Sequence, residues 1–382
     1  MRSLRHLLLS TLEDTSNPRS WSGIPYSLRQ ALQSRLERLT VVDRLPVKRA
    51  IGPAILRLTL GGSPPRWPLW ATNPALKQFG RLVREAVEAN TPDAVLSISS
   101  RCIIYYQPSV PFGMFCDAPW MAWKQSYREY EAKPLNGNAF ARKEAAAARK
   151  CNAAIFSSQW AVDEGRRLYG ESDCRFYVVP LGATWVPNLT TEQLAGRLKM
   201  RDRNKLNLLF VGKDWERKGG PLAVEIARGL NGAGMPTCLD IVGCNPNVMN
   251  EDRRFIRVHG FLSRDDFDQS RKLHGLFLDS HFLVVPTNAE CFGIVFAEAA
   301  AHALPAVSKA VDAVPSIVND DETGIVVDRS LGAEPYVHRI ISTFRDEARY
   351  SAMASAARER YRQNFTWDTC ADRVIRALEE QL

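Results

Sequence analysis

At 382 residues the chain is too long for one ordinary hydrophobic core, so two domains are expected. With 45% hydrophobic and 24% charged residues it reads as a soluble globular protein, and no run of about 18 apolar residues is present to cross a membrane. The net charge of +8 is uneven: Arg19 to Arg84 holds 12 Lys/Arg against 2 Asp/Glu, and the remainder is slightly acidic. The 8 cysteines form no C-x-x-C pair and no Cys/His spacing suited to zinc, which points to reduced thiols of a cytosolic protein.

The chain begins "MRSLRHLLLSTLED", where a short apolar run bounded by charge and lacking a small-residue cleavage site reads as a first buried strand rather than a signal peptide. Further strand-like runs follow as "LTVVDRL", "DAVLSIS", "PFGMFCD", "NAAIFSS" and "CRFYVVPLG". They alternate with amphipathic stretches such as "IPYSLRQALQSRLERL" and "NPALKQFGRLVREAVEAN". The basic segment 19–84 also carries "PPRWPLW". Cationic charge beside Trp67 and Trp70 suits peripheral contact with an anionic membrane or acceptor, and a solvated basic face is the plain alternative. No nucleic-acid-binding motif accompanies the charge.

Residues 184–205, "TWVPNLTTEQLAGRLKMRDRNK", are polar, charged and without a clear strand, and are expected to link two domains. The second half repeats the alternation with "LNLLFVG", "CLDIVGC", "FIRVHGF", "HFLVVPT", "LPAVSKA" and "TGIVVD". Such alternation predicts an α/β protein of two Rossmann-like, doubly wound parallel-sheet domains. The expected division is 1–183, the linker 184–205, a second domain over 206–365, and a tail helix over 366–382 that returns to the first domain.

Two strand-to-helix turns in the second half carry the chemistry. In "LLFVGKDWERKGGPLAVEIA" a strand ends at Gly212. Lys213, Arg217 and Lys218 precede a Gly-Gly helix start, and three cations there suit a diphosphate, with a solvated loop as the plain alternative. In "PTNAECFGIVFAEAAAHALP" a helix is predicted from about Gly293 to before Pro305. Its first amides, from Phe292, Gly293, Ile294 and Val295, form a ready phosphate site. Glu298 lies among alanines in its second turn, where an acid needs a partner. Ligand hydroxyls would serve, as would His302 four residues on. Glu290 precedes the helix and would reach another part of the ligand. "DFD" at Asp266 to Asp268 falls on a predicted helix, where positions i and i+2 diverge, so it is not read as a metal motif.

Taken together, "FVGKDWERKGG", a Glu about seventy residues later, and a second Glu after seven more resemble the retaining family-four glycosyltransferases with a GT-B fold. "SSQWAVDEGRRLYG…FYVVPLG" and "VHGFLSRDDF" are similar to further segments of that family. The resemblance implies two domains facing a central cleft and transfer of a hexose from a UDP- or GDP-linked sugar to a hydroxyl of a glycan or lipid-linked acceptor. Configuration would be retained, without a metal or other cofactor, in cell-surface polysaccharide or glycoconjugate synthesis in the cytoplasm or at the inner membrane face. A nucleotide-sugar epimerase and a non-catalytic sugar-nucleotide binder remain as alternatives.

The same resemblance assigns roles. Lys213 and Lys218 would hold the donor diphosphate, with Lys213 standing where the family often has Arg. Glu290 would meet the transferred sugar, the amides of Phe292, Gly293 and Ile294 sugar and phosphate, and Glu298 the ribose. Backbone at His259, Gly260 and Phe261 would lie near the base. Gly23 is similar to the glycine of the family's first loop, with Ser22 in place of a second glycine. Asp117, at a strand end where the family often has His, is either catalytic or a helix cap. Arg101 is a weaker candidate for the acceptor side.

Overall fold

The computed structural model describes residues 3–44, 72–127, 138–170 and 172–382. Residues 45–71, with Trp67, Trp70 and the middle of the basic segment, lie outside them. Two compact units are present: Met1–Thr184 with Trp367–Leu382, and Trp185–Thr366.

The first unit is built on a six-stranded parallel sheet of β1 (His6–Ser10), β2 (Arg38–Val42), β3 (Ala94–Ser97), β4 (Phe112–Cys116), β5 (Ala153–Phe156) and β6 (Arg175–Val178). The order across the sheet is β2-β1-β3-β4-β5-β6. Its central strands are apolar on both faces, and Leu7, Leu8 and Leu9 are all fully buried. That is the signature of a parallel sheet with helices on either side. The order reverses between β1 and β3, so the loops after those strands share the sheet's C-terminal edge at the switch point. The helix Trp367–Glu379 belongs to this unit. Its Asp372 and Asp368 meet Arg35 at 2.5 and 3.0 Å, and Glu379 accepts the Leu4 amide at 3.0 Å.

The second unit holds β7 (Leu206–Val211), β8 (Thr237–Val242), β9 (Ile256–Gly260), β10 (Phe282–Val284), β11 (Ala306–Lys309) and β12 (Gly324–Val327). Their order is β12-β11-β10-β7-β8-β9, all parallel. Read from β9 this is the 3-2-1-4-5-6 order of a dinucleotide-binding sheet, with its switch point between β7 and β10. Within residues 184–205, Thr191–Lys199 form a helix. Thr190 and Gln193 start it with a reciprocal capping box, Gln193 N–H donating to Thr190 Oγ1 at 3.2 Å and Thr190 N–H to Gln193 Oε1 at 2.9 Å.

Among the described residues, no helix is long and apolar enough to cross a membrane, and no group of three or more His, Cys, Asp or Glu is placed to hold a metal ion.

Candidate functional site

The two strand-to-helix turns of the second unit flank the switch point, one after β7 and one after β10. The first is a tight loop. The Lys218 amide donates to the Asp214 carbonyl at 3.0 Å and the Gly220 amide to the Trp215 carbonyl at 2.8 Å. Gly219 has φ +75, and a Cβ there would stand 2.0 Å from the Pro286 carbonyl oxygen. The β7 turn therefore presses against the end of β10, an approach that only glycine permits. The loops are also stitched together by hydrogen bonds. The Asn288 amide donates to the Arg217 carbonyl at 2.7 Å, and the Asn288 side chain to the Glu216 carbonyl at 2.9 Å.

This stitching brings three predicted residues to one point. The Lys218 ammonium bonds Glu290 Oε2, and Arg217 Nη1 lies 3.8 Å from the same oxygen. Arg217 also donates to the Ala289 carbonyl at 3.0 Å and pairs with Asp214 at 3.3 Å. Glu290 is only 6% exposed, so these cations offset the cost of burying its charge. Its amide donates to Asp312 Oδ2 at 2.9 Å. Lys213 stands apart from this cluster, its Nζ 5.3 Å from the centroid of the Phe261 ring, which is well exposed.

The helix Ile294–Ala301 starts where the sequence places it, with Gly293 as N-cap at φ +79. A Cβ on Gly293 would meet the Phe296 ring at 2.6 Å and Glu290 Cγ at 2.9 Å, so the residue lets the acid and the helix start lie side by side. The Phe296 amide donates to the Gly293 carbonyl at 2.9 Å, and the amides before it precede the intrahelical ladder, as at any helix N-terminus. The Phe292 side chain is core, packed edge-on to Phe365 at 6.2 Å.

Glu298 does not pair through its carboxylate with His302. His302 Nδ1 instead bonds the Glu298 backbone carbonyl at 2.7 Å, and the carboxylate is held by Arg264 Nη2 at 2.8 Å to Oε1 and 2.9 Å to Oε2. His302 Nε2 lies 3.0 Å from His274 Nδ1, and His274 stacks on Trp185 at 4.1 Å. Burial holds the His302 imidazole neutral, its pKa pushed down to about 3. His259, at the end of β9, bonds Asp240 at 2.6 Å. The Gly260 carbonyl accepts the Gly243 amide at 2.8 Å.

In the first unit, Gly23 caps the helix Ile24–Gln33 at φ +82, behind a short turn in which Trp21 and Ser22 also have positive φ, 41 and 58. Ser22 thus occupies the left-handed conformation that a second glycine would favour. Asp117 follows β4. Its Oδ1 accepts the Ala118 amide at 2.9 Å and its carbonyl accepts the Ser157 hydroxyl at 2.9 Å. Asp117 is not the cap of the next helix, Trp120–Ser126, whose N-cap position is Pro119. The Trp120 amide is taken at 2.9 Å by Glu144, a buried acid that also accepts the Ser100 hydroxyl at 2.7 Å. Burial raises the pKa of Glu144, and it ties the turn beside Arg101 to the segment beside Asp117. Glu144, Arg264, Asp312 and Asp240 escape a reading of the sequence because their partners are distant along the chain.

Two doubly wound parallel-sheet units, the second gathering cations and acids at its switch point, define a GT-B protein. Residues 199–360 match the family model of glycosyl transferases group 1. The sucrose-phosphate synthase from Thermosynechococcus elongatus superposes with a TM-score of 0.70 at 16% identity, covering 99% of both chains. Anabaena Alr3699/HepE, solved in complex with UDP, superposes with a TM-score of 0.64 at 14% identity, covering 99% of this chain and 100% of that one. The D-inositol 3-phosphate glycosyltransferase of Xylanimonas cellulosilytica is 27% identical over 237 residues, 59% of this chain and 56% of that protein. The chain thus spans about half the length of the curated relatives it matches.

Proposed function

We propose that the protein is a retaining glycosyltransferase. It moves a hexose from a UDP- or GDP-linked sugar to a hydroxyl of a glycan or lipid-linked acceptor. The observation that carries the reading is the convergence of Lys218 and Arg217 on buried Glu290 at the switch point of the second sheet. The family match over residues 199–360 and the UDP-bound neighbours support it and favour the uridine nucleotide.

In this reading the donor diphosphate draws Lys218 away from Glu290, with Lys213 and Arg217 adding charge. The amides of Phe292, Gly293 and Ile294 donate to sugar and phosphate. Glu290, released from Lys218, accepts from the sugar's hydroxyls. The bond from C1 to the diphosphate oxygen breaks, and negative charge grows on a leaving group surrounded by fixed donors, which is where electrostatic catalysis is greatest. The acceptor oxygen bonds to C1 from the face the diphosphate leaves, and its proton passes to the departing phosphate oxygen. Asp117 orients the acceptor or stabilises positive charge on the sugar ring, and Gly23 admits the phosphate to the first loop. Glu298 serves the ribose side, and backbone at His259, Gly260 and Phe261 the base. The reaction needs no metal in this scheme. Cell-surface polysaccharide or glycoconjugate synthesis in the cytoplasm, at the inner face of a membrane met by the basic segment, is the setting that fits.

Thermal-shift screening against UDP, GDP and their sugars, followed by mass analysis of products with and without acceptor, tests the reading. A matching nucleotide raises the melting temperature, because a ligand of the native state alone stabilises it. Glycosylated acceptor is the expected product. Conversion of donor alone would indicate an epimerase, and binding without turnover a non-catalytic module.

A further inference from the structure

Glu290 is held by more than the cations that meet its carboxylate. Its amide donates to Asp312 Oδ2 at 2.9 Å, and its carbonyl accepts the Ala313 amide at 3.2 Å. Both anchors come from one turn, residues 310–313, between β11 and the helix Val314–Ile317. The residue before Glu290 is fixed from another side. The Ala289 carbonyl accepts from Thr287 Oγ1 and from Arg217 Nη1, at 3.0 Å each. The main chain at Glu290 is thus pinned among the turns after β7, β10 and β11, independently of where its carboxylate points.

Asp312 makes its contact from an unfavourable backbone. Its φ is 44, in the left-handed region that glycine takes freely and a side chain takes at a cost. Aspartate is among the residues that tolerate this region best. A glycine would form the turn with less strain but would supply no acceptor. Strain that persists at such a point is enforced by its surroundings. What the chain gains is a carboxylate accepting a backbone amide, a bond stronger than one between neutral groups.

That anchor bears on the donor. Lys218 and Arg217 hold the Glu290 carboxylate in the structure. In the reading above the diphosphate draws Lys218 away, so the acid loses its nearest cation as it turns to the sugar. A carboxylate that addresses hydroxyls must then be aimed by its own main chain, and a misplacement of about 1 Å can cost about a hundredfold in rate.

We infer that Asp312 is a positioning residue for the donor sugar: by pinning the Glu290 amide it keeps that carboxylate on the sugar when Lys218 turns to the diphosphate. The inference rests on the nucleotide-sugar reading and adds to it a residue of the β11 turn, which acts through Glu290 rather than on the ligand.

The test compares wild type, Asp312→Gly and Asp312→Asn as full chains. Glycine relieves the backbone and removes the acceptor, whereas asparagine keeps a side-chain oxygen and tolerates the left-handed region. Three quantities are measured: hydrogen exchange on peptides covering residues 286–293, affinity for UDP and GDP, and steady-state consumption of UDP-glucose and GDP-mannose. Asp312→Gly should exchange faster at Glu290 and bind the diphosphate within about twofold of wild type, while kcat falls by about tenfold or more. Asp312→Asn should recover most of that kcat. Exchange at the wild-type rate in Asp312→Gly, or an unchanged kcat, would overturn the inference. So would equal losses of diphosphate affinity and kcat with no rescue by asparagine, the pattern of a turn that only supports the fold. Wild type that binds neither diphosphate, or consumes neither sugar nucleotide, would be a different failure, that of the nucleotide-sugar reading. Exchange would then still show whether Asp312 pins Glu290.

Discussion

Lys218 and Glu290, seventy-two residues apart, form an ion pair at the switch point of the second sheet, and the guanidinium of Arg217 stands 3.8 Å from the same carboxylate oxygen. A diphosphate that recruits Lys218 must compete with Glu290 for it. Glu290→Gln removes the competitor while keeping the shape. It is expected to bind the nucleoside diphosphate at least as tightly as wild type while turnover falls by about a hundredfold. On the proposed mechanism Lys218→Ala removes a donor to the leaving group and should lower kcat by about 10²–10³. It also leaves a buried acid with a more distant partner, so its melting temperature should fall too. Titration of the nucleotide beside steady-state kinetics checks both. Glu290→Gln binding more weakly than wild type would show that the pair does not compete with the ligand.

Gly219 is the hinge of that geometry in the literal, steric sense. A Cβ there would stand 2.0 Å from the Pro286 carbonyl oxygen, on a backbone at φ +75. Gly219→Ala must therefore push the cation loop away from the β10 turn. The expected loss is about 2–4 kcal/mol of stability, together with nucleotide affinity. Chemical denaturation and titration measure the two. Wild-type affinity in a destabilised Gly219→Ala protein would separate the loop stitching from ligand binding.

The same two turns mark how far the sequence could be read. Every strand of both sheets coincides with an apolar run in the sequence, most plainly the inner strands, which are buried on both faces and cannot hide their composition. The helix beginning after Gly293 was legible from its glycine and its alanines. The helix Thr191–Lys199 is not, although its T-x-x-Q capping box stands in the segment that reads as linker. The charge of that segment masked a short amphipathic turn. Partners of buried acids were invisible for a different reason. Arg264 reaches Glu298, Asp312 meets the Glu290 amide, and Glu144, not the candidate cap Asp117, takes the first amide of the helix Trp120–Ser126. Each of these pairings is made by the fold, and residue spacing along the chain carries no trace of it.

Ser22 offers a test on the first unit. It sits at φ 58, next to Trp21 at φ 41 and before Gly23 at φ 82, in the turn that opens the helix Ile24–Gln33. A non-glycine residue in this region costs roughly 1 kcal/mol, and a glycine there loses a similar amount through the freedom of its unfolded chain. Ser22→Gly should therefore leave stability equal to wild type or slightly above it. Ser22→Val, with a branched Cβ, should cost about 1–2 kcal/mol. Thermal unfolding of the two variants checks the sign, and equal melting temperatures for both would show that this turn does not hold the left-handed conformation.

Acid should act on the second unit through two buried imidazoles. Burial, with Arg201 and Arg203 adding repulsion, pushes the His281 pKa down to about 4, and burial pushes that of His302 down to about 3. In the unfolded chain both titrate near 6.5. Above 6.5 neither state takes up the extra proton and the stability is fully present. Below 6.5 the unfolded chain binds protons the folded unit refuses, so stability is lost as pH falls toward 4 and then 3. Each histidine contributes a slope approaching about 1.4 kcal/mol per pH unit in its window. Glu144 in the first unit has the opposite sign, since its raised pKa favours the folded state below its ordinary value of 4.5 and loses that advantage as pH rises. His281→Asn keeps an acceptor for the Asn207 amide, which donates to His281 Nδ1 at 3.0 Å. Unfolding followed between pH 7 and pH 4 should show a flatter loss of stability in His281→Asn than in wild type. Parallel curves for the two proteins would mean that His281 is protonated in the folded unit and that the acid sensitivity arises elsewhere.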